Sequence, residues 1–98
     1  MIKIAEKNDL HNGTVKVMSV KGIDIALFRI DDKFFALDNE CPHAGGPLSE
    51  GEIEGGCIRC PWHGYQYDLR TGACITEPVL RARTRELVIR GEEIFIDA

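Results

Sequence analysis

The sequence has no long apolar run and no excess of positive charge. Charged residues interrupt the apolar ones throughout residues 1–20, so neither a signal peptide nor a membrane span is predicted there. The 98 residues include 12 Lys and Arg against 16 Asp and Glu, a formal net charge of -4. This balance argues against the basic surface that binding to nucleic acid or anionic lipid requires. We therefore expect a cytoplasmic protein that binds neither nucleic acid nor a membrane.

The sequence also lacks a sustained helical period, and its regular patterns are those of strands. Residues 14–20 alternate between apolar and polar, and residues 23–30 follow after a two-residue turn, which predicts a hairpin. A second tight turn leads into a strand at residues 33–37. Residues 86–90 and 93–97 form another predicted hairpin. These patterns predict an all-β fold.

Between the two β-rich parts lies a stretch of different composition, at about residues 39–78. It contains seven of the ten glycines, all four cysteines and two of the three histidines. A loop-rich insert of this kind does not stabilise itself by apolar burial alone, so a metal or ligand is expected to organise it. A chain of this length folds without disulfides, which leaves the cysteines free for such a site. We predict one domain, residues 1–98, that contains this insert.

Two short motifs in the insert carry the chemistry. Cys41-Pro42-His43 comes first, and Cys60-Pro61-Trp62-His63 follows after sixteen intervening residues. Each motif supplies one thiolate and one imidazole, and the spacing allows the two loops to meet around one metal centre. Such ligands suit zinc, copper or an iron–sulfur centre, whereas magnesium and calcium prefer oxygen.

The order and spacing of these motifs resemble the signature of the Rieske iron–sulfur proteins. The flanking Gly-Gly-Pro-Leu and Pro-Trp-His-Gly segments are similar to those of the soluble ferredoxin branch, and the resemblance covers the whole chain. It implies an antiparallel β-sandwich with a loop-rich cluster-binding subdomain and one 2Fe-2S cluster. On this resemblance, Cys41 and Cys60 hold one iron, and His43 and His63 hold the other.

The resemblance also implies a function. Such a protein is a one-electron carrier and not itself an enzyme. Its expected partners are a flavoprotein ferredoxin reductase as electron donor and a terminal oxygenase, an aromatic-ring dioxygenase of Rieske type, as acceptor. A small electron-transfer subunit of a nitrite reductase is an alternative within the same family.

Some positions depart from the respiratory Rieske subunits. Two cysteines that form a disulfide there are matched here by Gly46 and Trp62, and a serine that donates to a sulfide is matched by Tyr65. Tyr67 matches a tyrosine that donates to a cysteine sulfur in the high-potential branch. Trp62 stands between two proposed ligands, where it is expected either to shield the cluster or to lie at a docking surface.

A different class of protein also fits part of the pattern. Cys57 and Cys60 form a C-x-x-C pair, so a zinc-stabilised interaction module could use Cys41, Cys57, Cys60 and one histidine. That arrangement leaves the second histidine without a role. In an extended strand Cys57 and Cys60 point in opposite directions, which favours Cys57, like Cys74, as a small buried side chain.

Overall fold

The structure is a computed structural model that describes residues 1–43, 45–62 and 64–97. The described residues form ten β-strands and two single-turn 3-10 helices, the latter at Lys7–Asp9 and Leu48–Glu50. The strands are β1 (Ile2–Glu6), β2 (Thr14–Val20), β3 (Ile23–Ile30), β4 (Lys33–Asp38), β5 (Glu52–Glu54), β6 (Cys57–Arg59), β7 (Gln66–Asp68), β8 (Thr84–Arg85), β9 (Leu87–Arg90) and β10 (Glu93–Ile96).

These strands form three antiparallel sheets. Their orders are β1-β10-β9, β2-β3-β4-β8 and β5-β6-β7. The all-β prediction is confirmed, and the predicted hairpin of β2 and β3 has the bounds that the alternation indicated. Strand β1 was not predicted. Its pairing with β10 shifts register between Lys3 and Ala5, and such an irregularity breaks the two-residue period by which a strand is recognised.

Strand β3, in the interior of the four-stranded sheet, is buried on both faces of the sheet. Along β3, Ile25 and Leu27 face one hydrophobic core, whereas Ala26 and Phe28 face another. The first core lies against the β1-β10-β9 sheet, with Ile94 and Ile96 of β10 among its members. Because both faces are covered, the strand reads as a nearly continuous apolar run.

The second core joins the loop-rich insert to this sheet. Its members from the insert and the segment that follows it are Cys41, Leu48, Ile58, Cys60, Tyr67, Leu69, Cys74 and Ala82. They pack with Ala26, Phe28 and Leu37, and all of these side chains are buried. The insert therefore shares a core with the β-sheet and is held rigidly against it.

A charged pair fixes the end of β4, three residues before Cys41. Nε and Nη2 of Arg85 donate to the two carboxylate oxygens of Asp38, at 2.7 and 3.1 Å. The main-chain N–H of Asp38 donates to the carbonyl of Arg83 at 2.9 Å. Two parallel bonds from one guanidinium fix both position and orientation. No helix among the described residues has the length and apolar character needed to cross a membrane.

Candidate metal centre

The first motif forms a tight loop that leaves and re-enters the fold at neighbouring points. The N–H of Cys41 donates to the carbonyl of Gly46 at 2.8 Å, and the N–H of Gly45 donates to the carbonyl of Cys41 at 2.7 Å. Glu40 and Pro47 form an isolated β-bridge at the base. This loop holds Cys41 at its start, with His43 two residues further on.

Asn39 braces the base of the first loop, a role that the two motifs did not indicate. Its carbonyl accepts the N–H of Leu48 at 2.7 Å, and its side-chain oxygen accepts the N–H of Ser49 at 2.8 Å. Asparagine is a common turn residue because its short amide reaches nearby backbone groups. An Asn two residues before the first cysteine was the available signal.

The second motif forms a loop with the same closure. It connects β6 to β7, and the N–H of Cys60 donates to the carbonyl of Tyr65 at 2.7 Å. In both loops, therefore, the cysteine N–H bonds the carbonyl five residues further along. The two cysteines occupy equivalent positions, each at the first residue of a closed loop.

The two loops bring the sulfurs of Cys41 and Cys60 together. Both residues are 1% exposed, and their side chains form a hydrogen bond. Burial, and then the bond to Cys41, raises the pKa of the Cys60 thiol to about 11, while the main-chain N–H of Trp62 acts in the opposite direction. A buried sulfur pair with an N–H donor is a suitable environment for thiolate ligands of a metal.

Tyr67, in the centre of β7, reaches the first of these sulfurs. Its hydroxyl oxygen lies 3.2 Å from Sγ of Cys41, as expected from the resemblance. Burial, and then this hydrogen bond, raises the pKa of Tyr67, and the main-chain N–H of His43 opposes the shift. The hydroxyl therefore stays protonated and can donate to the sulfur.

The histidine of the first loop lies on the protein surface. The ring of His43 stacks on Tyr65 of the second loop, with centroids 4.0 Å apart and planes inclined at 24°. His63, the other predicted histidine ligand, lies outside the described residues. Within residues 1–43, 45–62 and 64–97, no three His, Cys, Asp or Glu side chains form a group that could hold a metal ion. The described part thus brings the two sulfurs together, with His43 on the same loop as Cys41.

Gly46 and Trp62 bring the two loops into contact. Gly46 is buried, and a Cβ atom placed on it would lie 2.9 Å from Cγ and Cδ2 of the Trp62 ring. The same atom would lie 3.2 Å from Sγ of Cys60. Gly45 has a positive φ of 77°, which favours glycine for conformational reasons, whereas Gly46 is needed for space. The role of Gly46 follows from a partner sixteen positions along the chain.

The remaining cysteines are buried away from the sulfur pair or engaged elsewhere. Cys57 does not belong to the core that contains Cys41 and Cys60, and burial, followed by the charge of Asp68, raises the pKa of its thiol. Sγ of Cys74 accepts the N–H of Glu77 at 3.2 Å. The set that a zinc module would use, with Cys57 beside Cys41 and Cys60, is not assembled among the described residues.

The surface beside the first loop is acidic. An open cavity of about 470 Å³ lies there, and its lining includes Asp24, Asp38 and Glu40. Asp38 is paired with Arg85, while Asp24 and Glu40 are exposed. Exposed carboxylates at this edge favour the approach of a positively charged surface.

The fold and the matched loops define a small all-β protein with a cysteine and histidine site between two loops. The family model for the Rieske [2Fe-2S] domain matches residues 1–89. The chain belongs to this family, so the family predicted from the two motifs is confirmed.

Similar proteins are ferredoxins of dioxygenase systems. The ferredoxin component of the naphthalene 1,2-dioxygenase system of Pseudomonas aeruginosa is 32% identical over 90 residues, which cover 91% of this chain and 86% of the relative. The ferredoxin of carbazole 1,9a-dioxygenase from Nocardioides aromaticivorans IC177 superimposes with a TM-score of 0.91, at 31% identity over 97% of this chain and 94% of its own. A chain from a complex of reduced oxygenase and oxidized ferredoxin in carbazole 1,9a-dioxygenase has a TM-score of 0.89, at 28% identity over 98% of this chain and 100% of its own.

Proposed function

We propose that this protein is a one-electron carrier whose 2Fe-2S cluster is held by Cys41, His43, Cys60 and His63. The observation that carries the proposal is the buried pair of sulfurs, Cys41 and Cys60, presented by two loops with the same closure. In a Rieske site the two cysteines bind one iron and the two histidines bind the other.

The residues present fit such a group. Both sulfurs are buried. The Tyr67 hydroxyl is directed at the sulfur of Cys41, and the main-chain N–H of Trp62 is directed at the sulfur of Cys60, as donors to thiolate ligands should be. When bound, the cluster supplies one-electron chemistry. Two neutral imidazoles in place of two thiolates reduce the negative charge on the site, which makes addition of an electron easier and raises the reduction potential. His43, on the surface, lies where an electron can leave the protein.

We also propose the organisation and setting of the chain. It is a single Rieske domain, residues 1–98, with the cluster-binding insert at about 39–78. The core shared by the insert and strands β3 and β4 supports one domain. The protein is an electron-transfer component and not an enzyme, as the names of its ferredoxin relatives indicate. We propose that the protein is located in the cytoplasm.

The proposed partners are a flavoprotein ferredoxin reductase and a terminal oxygenase of the aromatic-ring dioxygenase class. Support comes from relatives that serve naphthalene and carbazole dioxygenase systems. The acidic edge beside the first loop suits docking to a partner with basic groups. A reduced sample mixed with such an oxygenase and its substrate should be reoxidised in step with product formation, whereas omission of the oxygenase should abolish rapid reoxidation.

Metal analysis and spectroscopy test the cluster. The purified protein should be red-brown and contain about two irons and about two acid-labile sulfides per chain, and it should take up one electron. A colourless protein that contains zinc would contradict the proposal.

Ligand exchange tests the residue assignment. His43→Cys and His63→Cys, where they still assemble a cluster, should lower the reduction potential, because each replaces a neutral ligand with a negative one. Ser49→Ala serves as a control, because it alters only a side chain in the turn that follows the first loop and leaves the main-chain N–H of Ser49 in place. A potential that stays unchanged or rises in both histidine variants would contradict the assignment.

A further inference from the structure

We propose that Trp62 is a positioning residue of the cluster site: its indole packs on the bare backbone of Gly46, ties the second loop to the first and keeps water from the sulfur of Cys60. The inference rests on the proposed function, because the sulfur of Cys60 is one of the proposed cluster ligands. It assigns a task to a side chain that is not itself a ligand.

The contact between the loops is direct. A methyl group on Gly46 would approach Cγ and Cδ2 of Trp62 to 2.9 Å, well inside the separation of about 3.5–4.0 Å at which carbon atoms attract. The indole therefore lies against the backbone of Gly46. Trp62 is 50% exposed while Gly46 is buried, so one part of the indole covers the glycine and the other faces solvent.

The sulfur of Cys60 lies at the same point. The methyl group that would meet the indole would also lie 3.2 Å from Sγ of Cys60. The backbone of Gly46, the ring of Trp62 and the sulfur of Cys60 therefore lie close together. Cys60 is only 1% exposed, although the neighbouring Pro61 and Trp62 are on the surface. Removing the indole uncovers this volume and gives water a route to the sulfur.

The loops depend on contacts of this kind. The hydrogen bonds from Cys41 to Gly46 and from Cys60 to Tyr65 close each loop on itself. Contacts from loop to loop include the Cys41–Cys60 sulfur pair and the stack of His43 on Tyr65. Both of those involve proposed ligands. The Gly46–Trp62 contact involves none, so it can hold the loops in place without competing with the cluster for a ligand.

The test uses the loaded full-length protein with four variants and a control. The variants are Trp62→Ala, Trp62→Phe, Gly46→Ala and the double variant with alanine at both positions. Val79→Ala is the control, because Val79 is also an exposed apolar residue, 85% accessible, in a different loop. The measurements are the rate of cluster loss to an iron chelator and the reduction potential.

Trp62→Ala should lose its cluster about tenfold faster than the parent protein, since a packed aromatic contact is removed. Its reduction potential should rise, because water that reaches the Cys60 sulfur stabilises the negative charge added on reduction. Trp62→Phe should restore most of the lifetime and the parent potential, since it retains a ring on Gly46. Val79→Ala should behave as the parent protein.

Gly46→Ala should shorten the cluster lifetime as well, because its methyl group displaces the indole. In the double variant the two effects should add only in part, since alanine at position 46 no longer meets a ring, although it still approaches the sulfur of Cys60 to 3.2 Å. Trp62 is the only tryptophan, so tryptophan fluorescence reports on the surroundings of this one side chain. In the cluster-loaded protein, Gly46→Ala should increase the quenching of this fluorescence by acrylamide, because the displaced indole is more accessible to the quencher.

The outcomes separate the inference from the proposed function. A parent protein without an iron–sulfur cluster overturns both. A loaded parent whose Trp62→Ala variant keeps its cluster lifetime and potential overturns the positioning role alone. Slower electron transfer to an oxygenase in that otherwise unchanged variant would make Trp62 a docking residue instead. If Trp62→Ala does not assemble a cluster, normal cluster assembly in Trp62→Phe supports the inference. If neither variant assembles a cluster, the inference is overturned.

Discussion

The hydroxyl of Tyr67 lies 3.2 Å from the sulfur of Cys41, although the two residues are 26 positions apart and belong to a strand and a loop. Both side chains are buried, so water does not compete for the contact. A hydroxyl directed at a ligand sulfur is a means of setting a reduction potential, because it stabilises the additional negative charge of the reduced state.

Replacement of that hydroxyl should lower the potential. Tyr67→Phe keeps the ring in the core and removes only the donor to Cys41. A net hydrogen-bond contribution of about 0.5–1.5 kcal/mol corresponds to a fall of roughly 20–60 mV for one electron. Protein-film voltammetry measures it.

Tyr65→Phe is the matched control for this change. It removes a hydroxyl from a neighbouring tyrosine but retains the ring that stacks on His43. Its potential should stay close to that of the parent protein. An equal fall in both variants would show that the Tyr67–Cys41 contact has no particular effect.

The four cysteines should divide into two classes. Cys57→Ser and Cys74→Ser should retain the full cluster with a modest loss of stability, because Cys57 lies outside the core of the sulfur pair and Cys74 accepts a main-chain N–H. Cys41→Ser and Cys60→Ser should lose the cluster or assemble it poorly. Visible absorption and iron content distinguish the classes. A Cys57→Ser variant that folds but has lost the characteristic spectrum would favour the zinc-type ligand set.

The pair of Asp38 and Arg85 should contribute substantially to stability. Arg85→Ala leaves a largely buried carboxylate without its two donors, and hydrogen bonds to charged groups are worth about 1.5–3 kcal/mol. We expect the free energy of unfolding to fall by about 2 kcal/mol in urea denaturation followed by Trp62 fluorescence.

Arg83→Ala provides the comparison. Arg83 is exposed, and its carbonyl, which accepts the N–H of Asp38, is unaffected by the substitution. Its free energy of unfolding should change by less than about 0.5 kcal/mol. Equal losses in the two variants would mean that the Asp38–Arg85 pair stabilises no more than a surface charge.

The cluster-free protein should become less stable in alkali. Burial and the bond to Cys41 raise the pKa of Cys60 from 9.0 to about 11, so the unfolded chain loses this proton first as the pH rises. The stability that depends on the protonated thiol is fully present below pH 9 and is lost as the pH rises to about 11. The loss should be on the order of 2 kcal/mol.

Urea unfolding midpoints measured below pH 9 and above about pH 11 test this loss of stability. Tyr67 and Cys57 also have raised pKa values and act in the same direction, so the comparison is with Cys60→Ser. This variant should lose less stability than the parent protein over the same interval. Equal losses would assign the whole effect to the other groups.

Local sequence indicated strands β2, β3, β4, β9 and β10 and the candidate ligands. The alternation in β2 and the apolar run of β3 gave their bounds, because side chains of a strand alternate between its faces. The spacing of Cys41, His43, Cys60 and His63 indicated the Rieske family, since each motif is a short stretch with chemistry of its own. The two-residue period failed at β1, where a bulge interrupts it.

Tertiary structure decided which residues meet. The burial of β3 on both faces depends on the sheet and the insert that cover it, and a strand's own sequence does not identify its neighbours. The contact of Gly46 with Trp62 likewise arises only when two loops fold side by side. Sequence periodicity reports on residues a few positions apart, whereas such contacts depend on how distant segments pack, and packing is a property of the whole core.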